Sequence, residues 1–409
     1  VVFILQKQKY AYVGLDTHKA THTAVVIDCW TKKLGEVTFE NRPGKFEKFL
    51  KDIKAIAGNL TPVFGLEDTG AVGRSLAVFL LGYKYTVKEV NPSFSKSARH
   101  DNTIVHKDDS YDAYCIAKVL RDRFDTLKAA NPQDIFWTIK QLVSRRDSLS
   151  KGLIAIQNQL HGQLMFNYPS YRKFFCEIGG NTALYFWENY PSPSMLNGVT
   201  AEKLGEELKE VSHRAVSLKK ALQIFDLVAE DGETKQEYQT QRDFIIKSIV
   251  KEIRQKKEAI NEIDAELEKM IPLTGYKLES MPGIELNTAC HIIAEVGDVD
   301  RFSNSDKLAR FAGTAPVVFS SAGKGKEQRC RQGNRRMNAI LYFLAIQQVQ
   351  LHSVSKKPRN PAFRAYFEKK LSEGKTKPQA LTSITKRLVR ILYNMMKHKT
   401  EYRMSDMAA

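Results

Sequence analysis

The chain opens with short runs in which apolar and polar positions alternate. Tyr10-Ala11-Tyr12-Val13-Gly14-Leu15-Asp16, then Thr21 to Asp28, then Leu34 to Phe39, are separated by turn chemistry at Asp28 and Thr31-Lys32-Lys33. A period of two over such lengths predicts strands, and the short connections predict an antiparallel meander. Phe46, Phe49, Leu50, Ile53 and Ile56 then step by three and four, which predicts a helix, and Pro62-Val63-Phe64-Gly65-Leu66-Glu67 reads as a buried strand. A helix from Gly73 to about Leu81 and a strand from Tyr85 to Val90, closed by Asn91-Pro92, complete this part.

Two long helical stretches come next. Leu142, Leu149 and Ile156 recur at steps of seven with Leu153 and Leu160 between them, and Ile246, Ile249, Ile253, Lys256, Ile260, Ile263, Leu267 and Met270 step by three and four. Both patterns fit a coiled coil or a long helical hairpin, closed within one chain or against a partner. Residues 168–237 between them, rich in aromatics, Pro, Gly and Asn, have no period and read as an inserted subdomain. From Leu278 the texture changes again. Met281-Pro282-Gly283-Ile284 with Ala289 and Ile292-Ile293 resembles a helix-hairpin-helix turn, which aims helix amides at a backbone phosphate. Glu285 stands where such hairpins commonly carry a second glycine, so a purely structural turn fits the same residues. The domain division expected is 1–130, 131–272 and 273–409.

A chain of 409 residues, 43% hydrophobic and 27% charged, is long enough for two or three cored domains, and disorder is excluded as its dominant state. No apolar run approaches the ~20 residues of a membrane-spanning helix. Val1-Val2-Phe3-Ile4-Leu5 is too short for the core of a signal peptide, so a cytoplasmic protein is expected. Cys29, Cys115, Cys176, Cys290 and Cys330 stand far apart without a CxxC pair, which argues against a zinc site and a disulfide framework. Net charge is +17, and residues 323–409 hold 20 lysines and arginines against 5 carboxylates, leaving the rest nearly balanced. A solubilising tail is the plain reading of such a run. Here Phe363, Tyr366, Phe367, Leu388, Ile391, Leu392 and Tyr393 interleave with the charges, which predicts a folded end offering one surface to nucleic acid.

A three-strand meander followed by helix, strand, helix, strand is the order of an RNase-H-like α/β domain. In that order the strands ending at Asp16 and Glu67 are parallel neighbours, so both carboxylates project from one edge. Asp109 and Asp112 are three apart at the start of a predicted helix (Tyr111 to Leu120) and share a face. Like charges held close repel unless a cation joins them, and hard oxygen donors suit Mg²⁺ or Mn²⁺. Two such ions activate the attacking oxygen and stabilise the leaving one in phosphodiester chemistry. Each acid has a plainer reading when taken singly. Asp109 and Asp112 fit the dipole of a helix start, with Asp108 as competitor. Asp68 competes with Glu67, although strand alternation turns it to the other face. His18 and His106 read as flanking or surface groups rather than ligands.

Gly14-Leu15-Asp16-Thr17-His18-Lys19, Glu67-Asp68-Thr69-Gly70 and Lys107-Asp108-Asp109-Ser110-Tyr111-Asp112-Ala113 resemble the three blocks of the DEDD insertion-sequence transposases, also called bridge recombinases. Met281 to Ile284, Arg310-Phe311-Ala312-Gly313-Thr314-Ala315-Pro316, Ser320-Ser321-Ala322-Gly323-Lys324 and Gly333-Asn334-Arg335-Arg336 are similar in order and spacing to that family's second domain, and Lys375 to Tyr393 to its closing helix. The resemblance covers most of the chain apart from 168–237. It implies a RuvC-like domain with the tetrad Asp16, Glu67, Asp109 and Asp112, a coiled-coil segment, and a mostly α transposase domain with a nucleophilic serine. It also implies a homo-oligomer, dimer or tetramer, in which one subunit's acids face another's serine. A structured noncoding bridge RNA would pair with donor and target DNA, in the nucleoid of a bacterial or archaeal cell. The family commonly reads Ser-Gly in the serine loop. This chain reads Ser321-Ala322-Gly323, which makes Ser321 the first choice of nucleophile and Ser320 the second.

A serine hydroxyl needs a base, a metal or a positive field to attack a phosphodiester. Lys324, Lys326, Arg329, Arg331, Arg335 and Arg336 surround this loop in sequence and suit a scissile phosphate. A Ser/Gly/Lys loop that only grips phosphate is the plainer alternative. Two other functions fit the same residues: a junction-resolving nuclease in which water attacks, and a scaffold that binds nucleic acid and cuts nothing.

Overall fold

The computed structural model describes residues 7–67, 71–100, 108–132, 135–213, 215, 218–232, 237–315, 317–321, 324–328 and 333–403, with the backbone alone for 317–321 and 324–328. The chain forms two compact units, Val1–Trp137 and Thr138–Ala409.

In the first unit the predicted meander is present as β1 (Tyr10–Thr17), β2 (Thr21–Ile27) and β3 (Lys33–Glu40). Helix α1 (Pro43–Ala57), β4 (Thr61–Leu66), α2 (Arg74–Gly82), β5 (Val87–Glu89), α3 (Pro92–His100) and α4 (Asp109–Arg123) follow. The five strands form one mixed sheet in the order β3-β2-β1-β4-β5, with β1 antiparallel to β2 and parallel to β4. A central strand has no solvent face, and Ala11 to Leu15 of β1 are all buried. One side of the sheet, through Val13, Leu15, Ala24 and Phe64, shares a core with Phe46, Phe49 and Ile53 of α1 and Leu76 and Leu80 of α2. The other, through Tyr12, Val25 and Val63, shares one with Ala113, Ile116, Ala117 and Leu120 of α4.

Two elements depart from the sequence reading. β5 is shorter than Tyr85 to Val90, because the Tyr85 amide is taken by the Leu80 carbonyl in the closing turn of α2. Helix α3 was not predicted. Its sequence Pro-Ser-Phe-Ser-Lys-Ser-Ala-Arg-His offers the core a short apolar pair, the partly buried Phe94 and Ala98, and the residue it buries fully is a serine, Ser95.

The second unit is helical. Helices α5 (Ile135–Asn167), α6 (Asn181–Asn189), α7 (Ala201–Val211), α8 (Leu218–Asp231) and α9 (Gln239–Met270) precede α10 (Leu286–Val296) and α11 (Ser305–Phe311). A hairpin of β6 (Val317–Ser321) and β7 (Lys324–Gln328) leads to α12 (Arg335–Val349), α13 (Pro361–Ser372) and α14 (Lys377–His398). Helices α5 and α9 meet within the one chain. Arg146 is bidentate to Asp264 at 2.5 and 3.0 Å, and Asn167 reaches Asp243 at 3.4 Å, so the two run antiparallel. Ile156, Leu160 and Leu164 share a core with Ile246, Ile249, Val250 and Ile253. That core continues into 168–237, where short helices gather Tyr168, Phe174, Phe186 and Trp187. Aromatic bulk carried on several short helices leaves no single period to read. The basic end is folded, with Ala380, Ile384, Leu388, Val389 and Leu392 of α14 buried. Cys29, Cys115, Cys176 and Cys290 are free thiols. Among the described residues no helix is long and apolar enough to cross a membrane.

Candidate active site

Parallel pairing and two glycines build the acidic site. Gly14 of β1 pairs with Gly65 of β4, and Leu15 with Leu66, so Asp16 and Glu67 come next on adjacent strands that run the same way. Both lie two residues beyond a glycine and therefore on the glycines' side of the sheet. Helix α4 lies against that side, since a Cβ on Gly14 would meet the Ala113 carbonyl oxygen at 2.1 Å. Asp109 and Asp112 occupy the first turn of α4, and Asp108 is its N-cap, accepting the Tyr111 amide at 2.6 Å.

The side chains fall into two groups. His18 Nε2 is 3.2 Å from Asp16 Oδ2 and 3.4 Å from Asp109 Oδ1. Arg99 of α3 sets Nε 2.8 Å from Asp112 Oδ1 and Nη2 3.5 Å from Glu67 Oε1, and the Ser95 hydroxyl donates to Glu67 Oε1. Burial pushes the Asp16 carboxyl above its ordinary value, His18 pulls it back, and Asp112, Asp109 and Glu67 each raise it further. The structure thus brings Asp16 and Asp109 together at His18, and Glu67 and Asp112 together at Arg99.

Asp16 Oδ2 and Asp112 Oδ1 are buried without a hydrogen bond, their close contacts with His18 and Arg99 lying off hydrogen-bond geometry. Buried carboxylate oxygens left over in this way fit a divalent cation. Among the described residues the metal-competent group of three is Asp16, His18 and Asp109, whose ligand atoms lie within 4.8 Å of one another. His18 therefore stands closer to the centre than the sequence reading placed it. The usable signal was its position two residues after Asp16. Arg99 and Ser95 were missed with their helix. Asp68 and His106 lie outside the described residues.

In the second unit Ser321 is the last residue of β6 and pairs with Lys324, while Ser320 pairs with Gly325 and Phe319 with Lys326. Both serines and both lysines thus belong to one short hairpin. Arg329 and Arg331 lie outside the described residues. Arg335 is exposed at the start of α12. Arg336 is held by acids of its own unit: Nη2 pairs with Asp147 and Nη1 lies 3.4 Å from Glu295 Oε1. Glu295 also accepts from Asn334 Nδ2 at 2.6 Å, and Asp147 meets His291 Nε2 at 2.9 Å. The Gly283 turn is tight, with φ +87°, but Gln348 Nε2 donates to the Pro282 carbonyl there, a contact that serves packing.

Comparison with known proteins places the chain in a family. A transposase family model named for DEDD and IS110 matches residues 13–169, and a second, the "Transposase IS116/IS110/IS902 family", matches residues 275–368. The 43.6 kDa protein of insertion element IS110 from Streptomyces coelicolor is 26% identical over 72% of this chain and 72% of its own length. The 44.8 kDa protein of IS116 from Streptomyces clavuligerus is 24% identical over 95% of both chains. The pilin gene-inverting protein of Moraxella lacunata is 25% identical over 37% of this chain and 47% of its own. A family whose DEDD motif implies a divalent metal thus matches the part of the chain that carries Asp16, Glu67, Asp109 and Asp112, and the chain belongs to the IS110 family of DEDD transposases, enzymes of DNA recombination.

Proposed function

We propose that this transposase cuts and rejoins DNA through a phosphoserine intermediate. It uses the tetrad Asp16, Glu67, Asp109 and Asp112 of an RNase-H-like, RuvC-like domain (1–130) and Ser321 of a serine transposase domain (273–409), with a coiled-coil region (131–272) between them. The observation that carries the reading is that Asp16 and Asp109 share His18, Glu67 and Asp112 share Arg99, and Asp16 Oδ2 and Asp112 Oδ1 are buried without hydrogen bonds. Asp16, Glu67, Asp109 and Asp112 would hold Mg²⁺ or Mn²⁺, with His18 adjacent. When bound, such an ion supplies Lewis acidity and charge neutralisation at phosphate oxygens. Ser321 loses its hydroxyl proton as Oγ bonds to phosphorus. The P–O3′ bond breaks, and the departing oxygen takes up a proton to become a 3′ hydroxyl. Attack of a 3′ hydroxyl on the phosphoserine then restores a phosphodiester and frees the serine, with no need of ATP. Lys324, Lys326, Arg329, Arg331 and Arg335 hold phosphate, and Arg336 does so on release from Asp147 and Glu295.

The partners of this reading are donor and target DNA and a noncoding bridge RNA that pairs with both. Support for a polyanion partner is the excess of 20 basic over 5 acidic residues in 323–409. Support for a homo-oligomer, dimer or tetramer, is the exposure of Ile154 and Met165 on α5 and of Phe244 and Ile245 on α9.

Denaturing electrophoresis of the protein with labelled DNA sites, RNA and Mg²⁺ tests the mechanism. A protein-DNA adduct is expected from the wild type and from Ser320→Ala, and none from Ser321→Ala or Asp16→Ala. Loss of the adduct with Ser320→Ala alone moves the nucleophile. Cleaved DNA free of protein in every case overturns the serine mechanism in favour of water, and binding without cleavage makes the protein a scaffold.

A further inference from the structure

Helix α3 aims two polar side chains at the acidic site. Ser95 and Arg99 are four residues apart and so share one helix face. The Arg99 guanidinium lies 2.8 Å from Asp112 and 3.5 Å from Glu67, while the fully buried Ser95 donates its hydroxyl to the same Glu67 oxygen. On the other side His18 faces Asp16 and Asp109. The four acids are thereby divided into two pairs, each with its own nitrogen partner. The partners differ in kind. An imidazole can ligate a metal, whereas a guanidinium has no acceptor and keeps its proton in a protein. A divalent ion drawing on Glu67 and Asp112 therefore meets a fixed positive charge at hydrogen-bond range of those same carboxylates, which is repulsive.

We propose that Arg99 is the resident counter-cation of this centre. It holds Glu67 and Asp112 in place in the metal-free protein and gives them up when a divalent ion binds, so it sets the affinity for that ion. This rests on the reading above that the acids take a divalent cation. Arg99 acts through the two carboxylates and is a positioning residue. Its side chain is 32% exposed, so it has solvent to move into, and its Nε contact with Asp112 Oδ1 lies off hydrogen-bond geometry.

The test is Mn²⁺ binding to the metal-free full-length protein, followed by calorimetry and by electron paramagnetic resonance, with thermal unfolding alongside. Asp16→Asn identifies the site, as binding there must depend on Asp16. Arg99→Gln is expected to tighten Asp16-dependent Mn²⁺ binding about tenfold and to lower the melting temperature of the metal-free protein, with Mn²⁺ restoring it. Arg99→Lys keeps the charge but loses the fork, and is expected to lie between the two. It carries the same comparison if Arg99→Gln does not fold without metal. Asp16-dependent binding of equal or lower affinity in the Arg99 variants overturns this proposal alone. Absence of Asp16-dependent binding in the wild type and the variants overturns the metal reading and this proposal together.

Discussion

Gly14 of β1 lies directly beneath Ala113 of α4: a Cβ on Gly14 would stand 2.1 Å from the Ala113 carbonyl oxygen and 2.3 Å from the Ala117 amide nitrogen. Both obstacles are backbone, so no rotamer change relieves them and the helix itself must retreat. That helix carries Asp109 and Asp112, which makes the missing side chain at Gly14 a condition for the acids meeting Asp16. Gly14→Ala is expected to destabilise the protein by about 3 kcal/mol in denaturant unfolding. Divalent-metal binding should weaken with it. Wild-type stability in this variant would show that α4 does not depend on the glycine.

Arg335 and Arg336 are neighbours in sequence with different surroundings. Both are exposed, but Arg336 is held between Asp147 and Glu295, the latter with its side chain 8% exposed. Arg335→Ala is expected to weaken DNA binding and to flatten its dependence on salt by about one unit of log-log slope, without changing stability. Arg336→Ala takes a cation from Asp147 and Glu295 and, because the arginine is half exposed, is expected to cost about 1 kcal/mol in denaturant unfolding, whatever it does to DNA binding. Equal stability of the two variants would mean that the acid pair around Arg336 is energetically idle.

The acids were legible because their signal is local. Asp16 and Glu67 end apolar runs, and Asp109 and Asp112 have helical spacing beside the capping Asp108. Arg99 and Ser95 were not legible, because α3 is a polar helix whose place is set by partners distant in sequence. His18 was visible as a residue, but its distance to Asp109 arises only once α4 lies against β1. The long stripes showed two helices without saying what covers them. Arg146 with Asp264 and the shared core of Ile156 and Ile253 show that each covers part of the other. The hairpin of β6 and β7 was read as a loop, since Ser-Ser-Ala-Gly-Lys has turn chemistry at its tip and only Val317, Val318 and Phe319 as strand formers.

The pair of Arg146 and Asp264 joins helices α5 and α9 with two parallel bonds at 2.5 and 3.0 Å, and both side chains are mostly buried. A planar guanidinium matches a carboxylate in this way, whereas an ammonium does not. In a double-mutant cycle Arg146→Ala and Asp264→Ala are expected to show a coupling of about 1–2 kcal/mol, and Arg146→Lys to retain less than half of it. A coupling near zero would leave the antiparallel pairing of the two helices to their apolar residues alone.

His161 gives the helical unit a stability that depends on pH. The Tyr171 hydroxyl accepts from Arg172 Nε at 3.1 Å and is hydrogen-bonded to His161 Nδ1 at 2.9 Å. Burial lowers the His161 pKa and the Arg172 charge lowers it further, so the folded protein resists the proton that the unfolded chain accepts near pH 6.5. Stability is therefore full above that pH and is lost as pH falls through the interval down to the folded value. In urea unfolding between pH 7 and 5 the wild type is expected to lose stability more steeply than His161→Gln, by at most about 1.4 kcal/mol per pH unit for one proton. His22 is also buried with its pKa lowered, chiefly by burial, and it adds the same slope to both proteins, so the difference between them isolates His161. Parallel pH profiles would show that burial and Arg172 do not hold this ring neutral.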